Sequence, residues 1–397
     1  MVASAGCGGN TNLTGDGEFE GETAEVDLGP PVPDAGTGWR DSSEPWAPPP
    51  RVAEDCQWQN YAFDLWPGSD GLYALYAVRF TRHEIARSLE VRVNGGDGWT
   101  GYFSGDSPCY TPRYLAGTIG EALIAAGTTV DTSSTVGTLA AISPEGLRQL
   151  VECDVPPVTN AFVVSDTLAY ATVPAPDAVP VLRFDGEGWS EMVEGPIPVV
   201  RPLPLLWADD DDLFMAGGGG LVVSREGTGW YIHDIGTTND VVSLWGFDGD
   251  DVWAGDTSGE LFHFDGTTWA SVAWPNVAAT GNLCDSAVHA ALGLWGSDGV
   301  LYISAGDLDP EHAGVDPVGA VSGSGDAIVR YDGAFEVIAH WPPSNRAVCE
   351  NDGVKIWRVR GTSANEVFVM AEGRPDPVTG CKRPFVLLWD GSEFRWI

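Results

Sequence analysis

Short apolar runs alternate with turn-forming residues along most of this 397-residue chain, from about residue 60 to its end. The clearest copy, residues 243–272, contains four such runs. The first ends at Trp245, the second is Val252-Trp253-Ala254, and the last two are Leu261 to Phe264 and Trp269 to Val272. Asp and Gly at the first and third junctions supply turn conformations. The pattern predicts four short strands, here called a to d, joined by tight turns.

The same four phases recur in seven copies, and the aromatic residues that open strand d at Trp99 and Phe394 define a mean interval of about 49 residues. Strand a of the successive copies is marked by Trp66, Leu115, Phe162, Trp207, Trp245, Trp295 and Trp357. Four strands cannot bury both of their faces, but seven copies can close into a ring. We therefore predict an all-β protein, a seven-bladed β-propeller of four-stranded antiparallel blades over residues 51–397. Six or eight blades remain alternatives, because the first two copies are the most degenerate.

The turn between strands c and d carries a recurrent aromatic-Asp-Gly-x-x-Trp motif, as in Phe264-Asp265-Gly266 followed by Trp269. This motif resembles a degenerate Asp-box of sialidase-type propellers. The whole unit, Trp-Gly, then Asp-Val-Trp-Ala, then Asp-Gly-x-x-Trp, resembles the repeats of bacterial cell-surface propeller lipoproteins over about residues 60–397. The resemblance implies a cell-surface propeller and specifies its activity poorly. We expect the repeated turn aspartates (Asp185, Asp265, Asp332 and Asp390) and the repeated tryptophans to be structural.

Residues 1–50 are rich in Gly, Pro, Thr, Asp and Glu, and this composition predicts a disordered tether. Ser4-Ala5-Gly6-Cys7 resembles the end of a bacterial lipobox, in which Cys7 would receive the lipid. Only three residues precede Ser4, so either the start lies elsewhere or Cys7 is an ordinary cysteine of the tether. The lipoprotein interpretation predicts an extracytoplasmic protein, lipid-anchored at the bacterial cell envelope or secreted.

The chain has 57 acidic and 20 basic side chains and a net charge of -37. This balance argues against nucleic acid as a partner and against adhesion to an anionic membrane. Hydrophobic residues make up 43% of the chain, enough for a large core, and no window resembles a transmembrane span. We expect a monomeric ring whose partner is a protein or a glycan.

Six cysteines follow Cys7, and none of them forms a CxxC pair or a zinc-type cluster with histidine. In an exported chain they favour three disulfides, and buried thiols are the alternative. Pairing of neighbours gives the hypothesis Cys109–Cys153, Cys284–Cys349 and Cys56–Cys381, of which the last would tie blade one to blade seven. Other connectivities remain open.

No enzyme motif is present: the sequence lacks HExxH, GxSxG, a Walker A loop and a GxGxxG that opens a helix. Gly217 to Gly220 fall in a b–c turn, Asp209 to Asp212 in a solvated a–b turn, and His263 in strand c, where a structural role is the default. We therefore expect no catalytic residues and no cofactor apart from the Ca²⁺ considered below.

Long insertions interrupt the repeat at residues 275–292, 304–326, 342–354 and 371–384. They fall in d–a or b–c connections, which emerge on one face of the ring, around blades five to seven. The candidate binding residues of this face are Trp274, Trp341, Asp285, His289, Arg346, Arg374 and Asp376. A second candidate set, Asp307, Asp309, Glu311 and Asp316, offers oxygen ligands that could wrap a Ca²⁺ ion, and a solvated acidic loop is the alternative.

Three functions are consistent with these observations. The first is a non-catalytic cell-envelope propeller that binds a protein partner through the insertion-bearing face. The second is a lectin-like propeller, which requires Trp274 and Trp341 to stand exposed for stacking on a sugar. The third is a glycan hydrolase or lyase, which requires carboxylates, alone or with Arg or His, to converge in the central funnel.

Overall fold

The fold was examined in a computed structural model, which describes residues 60–68, 71–78, 88–94, 99–106, 114–120, 122–131, 134–150, 158, 160–173, 181–192, 203–227, 229–275, 289–308, 323–340, 355–372 and 384–397. All of these belong to one compact unit, Asp41–Ile397. Twenty-eight strands form seven consecutive antiparallel four-stranded blades, so the prediction of a seven-bladed β-propeller is confirmed. Each blade is built from consecutive strands of the chain, and a single bridge from Gly325 to Ile356 joins the last two blades. The predicted tether and Cys7 lie outside the described residues.

The strands are numbered in chain order, four to a blade. Blades one and two contain β1 (Asn60–Gly68), β2 (Gly71–Val78), β3 (Ser88–Asn94), β4 (Trp99–Asp106), β5 (Tyr114–Ile119), β6 (Ala122–Asp131), β7 (Ser134–Ser143) and β8 (Gly146–Gln149). Blades three and four contain β9 (Asn160–Ser165), β10 (Leu168–Thr172), β11 (Val181–Phe184), β12 (Trp189–Glu191), β13 (Leu205–Ala208), β14 (Asp212–Ala216), β15 (Leu221–Glu226) and β16 (Gly229–Asp234). Blades five to seven contain β17 (Val241–Asp248), β18 (Asp251–Asp256), β19 (Leu261–Phe264), β20 (Trp269–Val272), β21 (His289–Ser297), β22 (Val300–Leu308), β23 (Gly323–Tyr331), β24 (Phe335–His340), β25 (Lys355–Ser363), β26 (Glu366–Glu372), β27 (Pro384–Trp389) and β28 (Phe394–Trp396). A short 3-10 turn, Gly218–Gly220, connects β14 to β15, where the sequence predicts a b–c turn.

The repeated aspartate of the c–d turn closes that turn with its own side chain. In blade five, Oδ1 of Asp265 accepts hydrogen bonds from the backbone N–H groups of Thr267 and Thr268, at 3.0 and 2.8 Å. Asp185 and Asp390 make the equivalent pair of bonds in blades three and seven. These bonds lower the pKa of the Asp265 carboxyl, because they stabilise its charged form. The structural role expected for these three residues is therefore confirmed.

Apolar side chains of neighbouring blades pack face to face. One core cluster joins Trp207 and Phe214 of blade four to Val252 and Phe262 of blade five. The aromatic residue at the end of strand a also lies against a glycine of the next blade: a Cβ added to Gly246 would meet the Trp207 ring at 2.7 Å. Small residues at such positions allow adjacent blades to approach closely.

The ring closes without a strand shared between the two ends of the described chain. β1 contacts β5 on one side and β25 on the other. A core cluster joins Leu65 and Leu72 of blade one to Phe368 and Met370 of blade seven. All six cysteines that we predict to form disulfides lie outside the described residues, so the covalent tie through Cys56 and Cys381 stays a prediction.

Candidate binding site in the central channel

The innermost strand of every blade faces a central cavity of about 200 Å³, here called the channel. Its lining is contributed by β1, β5, β9, β13, β17, β21 and β25, together with Ser304 of β22. Apolar side chains make up most of the lining, among them Leu115, Phe162, Leu205, Val242 and Leu294. All seven blades contribute to the channel, and polar and apolar atoms share its surface about equally.

Three of the described lining residues are charged: Asp64 on β1, and Arg358 and Arg360 on β25. Two guanidinium groups and one carboxylate give this lining a charge of one positive unit. The protein as a whole carries a net charge of -37. The net charge of the described channel lining is therefore opposite in sign to the net charge of the whole protein.

Asp64 is completely buried, and its carboxylate is held by three groups. Oδ1 lies 3.2 Å from Nε of Arg358 and accepts a hydrogen bond from the backbone N–H of Leu65 at 2.9 Å. Oδ2 accepts a bond from the backbone N–H of Leu115, on the neighbouring blade, at 3.0 Å. Asp64 thereby connects blades seven, one and two, and its charge is matched by Arg358.

Arg360 lies deep in the protein, with part of its side chain open to the channel. Nη1 donates a hydrogen bond to the backbone carbonyl of Val359 at 3.1 Å, and no other hydrogen-bond acceptor for this guanidinium is found in the described part of the chain. Burial lowers the pKa of the Arg360 guanidinium below its ordinary value; Asp64 opposes this shift and Arg358 adds to it. An arginine stays protonated despite this shift, so Arg360 carries its positive charge in a poorly solvated environment.

The position of Arg360 refines one prediction from the sequence. Trp357 lies in strand a of blade seven, as predicted, but it falls at an irregularity in the β25–β26 pairing, between Ile356 and Arg358, and is not the register equivalent of Trp245. Arg360 pairs with Phe368 in the way that Trp245 pairs with Trp253 and Trp295 with Tyr302. An arginine therefore stands where blades five and six place a tryptophan.

Neutral polar groups complete the lining. The Asn160 amide donates to the carbonyl of Pro204 at 3.0 Å, and Oγ of Ser243 donates to the carbonyl of Ala291 at 2.5 Å. Both groups are occupied in holding adjacent blades together. Nε1 of Trp245, by contrast, is buried and has no hydrogen-bond partner in the described part of the protein. This atom is enclosed by protein and is not open to the channel.

The residues predicted from the sequence as a binding face fall largely outside the described ranges. Trp341, Asp285, Arg346, Arg374 and Asp376 are not described, and for His289 only the backbone pairing with Asp307 is. Trp274 is half-buried: Nε1 donates to the carbonyl of Gly259 at 2.9 Å, and its ring packs on the core between blades five and six. It does not stand exposed as sugar stacking requires.

The proposed calcium ligands Asp309, Glu311 and Asp316, and the side chain of Asp307, lie outside the described part of the chain. Within the described ranges, no three His, Cys, Asp or Glu side chains are grouped so that they could hold a metal ion. The described part of the chain also contains no helix that is long and apolar enough to span a membrane.

His263 belongs to a structural group, as the sequence predicts. Its ring stacks on Trp253 with centroids 4.2 Å apart, and Nε2 lies 2.8 Å from Oδ1 of Asp251. The same oxygen accepts a hydrogen bond from Nε1 of Trp253 at 2.8 Å. The three side chains tie strands b and c of blade five together.

Asp64, Arg358 and Arg360 were not predicted from the sequence as site residues. The signal was present in the repeat: among the described channel-lining positions of strand a, charged residues occur in blades one and seven, where the other blades carry apolar or uncharged polar residues. This difference can be recognised only when the register of strand pairing shows which positions of the blades are equivalent.

Comparisons with known proteins support the fold. No model of a protein family matches the chain, and no curated protein is similar to it in sequence. Among solved structures, YCF48 from Cyanidioschyzon merolae superposes with a TM-score of 0.52 at 10% identity, over 79% of this chain and 94% of that one. A structure of YCF48 bound to D1 peptide gives 0.50 at 11% identity over 79% and 94%, and Saccharomyces cerevisiae Sqt1 gives 0.50 at 8% over 85% and 95%. These neighbours are propellers, and at such low identity the similarity shows the fold alone.

Proposed function

We propose that this protein is a non-catalytic binding propeller that holds a protein partner at its central channel. The observation that carries the proposal is the channel itself, a cavity whose described lining residues have a net positive charge inside a protein of strongly negative charge. A cavity that combines apolar side chains with polar groups is the usual form of a binding site. The structure of YCF48 bound to D1 peptide is a precedent, among the structural neighbours, for a propeller with a peptide ligand.

The chemistry of Asp64 supports a binding role over a catalytic one. A glycan hydrolase or lyase needs a carboxylate that can reach its substrate and exchange a proton with it. Asp64 is the carboxylate among the described channel residues, but it is completely buried and its two oxygens are occupied by Arg358, Leu65 and Leu115. We therefore assign Asp64 a structural role in closing the ring.

The location that we propose is the cell envelope. The lipobox-like Ser4-Ala5-Gly6-Cys7 and the following tether would anchor the ring at the membrane. Labelling of cells with an alkynyl fatty acid tests the anchor. We expect label on the wild-type protein and none on Cys7→Ser, and equal labelling of both would contradict the anchor.

Photo-crosslinking tests where the partner binds. A photoreactive leucine analogue is placed at Leu205, in the channel, or at Ile232, which is 60% exposed on the outer strand of the same blade. After irradiation with a cell-envelope extract, we expect a discrete protein adduct from position 205 and none of the same mass from position 232. Adducts from position 232 only, or none from position 205, would contradict the proposal.

A further inference from the structure

We infer that the channel binds one carboxylate of its partner and that Arg360 is the residue that holds it. The inference rests on the proposed function, because it assigns a ligand group to the same channel. Whether the carboxylate belongs to a chain terminus or to an Asp or Glu side chain is decided by the experiment below.

The first argument is the position of Arg360 in the repeat. Blades five and six place Trp245 and Trp295 at this position, and the pairing of β25 with β26 puts Arg360 there in blade seven. A tryptophan at this position would only pack against its neighbours in the blade. An arginine instead brings a positively charged guanidinium group, with several hydrogen-bond donors, to the wall of the cavity.

The second argument is the balance of charge in the channel. Asp64 is paired with Arg358 and also accepts two backbone hydrogen bonds, so both of its carboxylate oxygens already have partners. Arg360 donates one bond, to the carbonyl of Val359, and its other N–H groups have no acceptor among the described residues. A poorly solvated charge without a counter-ion is unfavourable, and a bound carboxylate would supply two acceptor oxygens and the missing negative charge.

The third argument distinguishes a carboxylate from other anions. The described lining residues have one positive charge in excess, which matches the single charge of a carboxylate and not the near-double charge of a phosphate monoester. Apolar side chains such as Leu205 and Val242 also line the cavity, which suits the carbon atoms of an amino-acid residue.

Calorimetry with matched probes tests this site in the full-length protein. The probes are benzoate and its neutral isostere benzamide, inorganic phosphate, and acetyl-Ala-Ala-Leu with a free or an amidated C-terminus. A third peptide, acetyl-Ala-Glu-Ala-amide, carries a side-chain carboxylate only. We expect benzoate to bind at least tenfold more tightly than benzamide, and at least one of the two carboxylate peptides to bind at least tenfold more tightly than amidated acetyl-Ala-Ala-Leu.

Three variants assign the effect to Arg360. Arg360→Trp installs the residue that the repeat uses in blades five and six, so it should fold, and we expect it to lose the preference for carboxylates. Arg360→Gln should lose it as well, whereas Arg360→Lys, which keeps the charge without the fork, should retain part of it. Thermal melting of each variant confirms that the ring is intact.

The inference is overturned if benzamide binds as well as benzoate, if phosphate binds more tightly than every carboxylate probe, if no probe binds, or if Arg360→Trp keeps the preference.

Failure of the carboxylate inference can be distinguished from failure of the proposed function. A channel crosslink at position 205 that persists in Arg360→Trp supports a partner in the channel and overturns the carboxylate. Benzoate binding without any crosslink supports the carboxylate site and overturns the protein partner.

Discussion

Asp64 of the first blade and Arg358 of the last blade form an ion pair at the junction where the ring closes, with Nε and Oδ1 3.2 Å apart. The carboxylate is completely buried and the arginine side chain is 29% exposed. Together with the cluster that joins Leu65 to Met370, this pair connects the two ends of the propeller. It also sets the charge of the channel, because it leaves Arg360 as the guanidinium without a matching carboxylate among the described lining residues.

Removing one partner of this pair should weaken the ring. We expect Asp64→Asn to reduce the free energy of unfolding by about 2 to 4 kcal/mol, slightly below the usual range for a buried pair because Arg358 keeps some contact with solvent. Denaturant unfolding measures the loss. The double variant Asp64→Asn/Arg358→Gln should recover part of it, and a single variant as stable as the wild type would show that packing alone closes the ring.

Close packing between blades four and five should make Gly246 intolerant of a side chain. A Cβ at this position would lie 2.7 Å from three atoms of the Trp207 ring, so Gly246→Ala should lower the free energy of unfolding by about 1 to 3 kcal/mol. Gly188→Ala is the matched control, since a Cβ there meets nothing within 4 Å. Equal effects of the two substitutions on the melting temperature would contradict this account.

Asp212 should make stability depend on pH. Burial, followed by repulsion from Asp209 and Glu226, raises the pKa of its carboxyl from 3.8 to about 6. The folded state therefore binds a proton more readily than the unfolded chain, and the unfavourable charge of Asp212 acts fully above pH 6 and fades as the pH falls towards 3.8.

We therefore expect Asp212→Asn to raise the melting temperature at pH 7.5 and to have little effect at pH 4. Asp210→Asn removes a charge from an exposed position of the same turn and should have the smaller effect at pH 7.5. An Asp212→Asn variant whose effect is the same at both pH values would rule out this electrostatic origin.

Trp274 should contribute to stability and not to sugar binding. Its ring is packed against the core between blades five and six and its Nε1 is bonded to Gly259, so Trp274→Ala should cost about 1 to 3 kcal/mol of unfolding free energy. Tyr231→Ala, at a side chain that is 50% exposed, should change it by less than about 0.5 kcal/mol. A glycan array would favour the lectin-like alternative if Trp274→Ala abolished sugar binding without loss of stability.

The blade architecture could be predicted from the sequence because each blade is local. Its four strands follow one another along the chain, and the turn at Asp265 is closed by residues two and three positions further on. Alternating apolar runs and turn aspartates therefore specify a blade without reference to any other part of the chain, and the number of copies predicts the ring.

Only the tertiary structure identified the channel and its charges. Asp64 and Arg358 lie at opposite ends of the repeat array and become neighbours only because the ring closes, so no spacing in the sequence relates them. Trp357 lies in strand a of blade seven, as predicted, but an aromatic residue indicates a strand and not its register. Backbone pairing places Arg360 at the position that Trp245 occupies in blade five. The sequence alone thus determined the repeating unit, which depends on local turns and alternation. The site depends on long-range closure and on register, which only the folded ring decides.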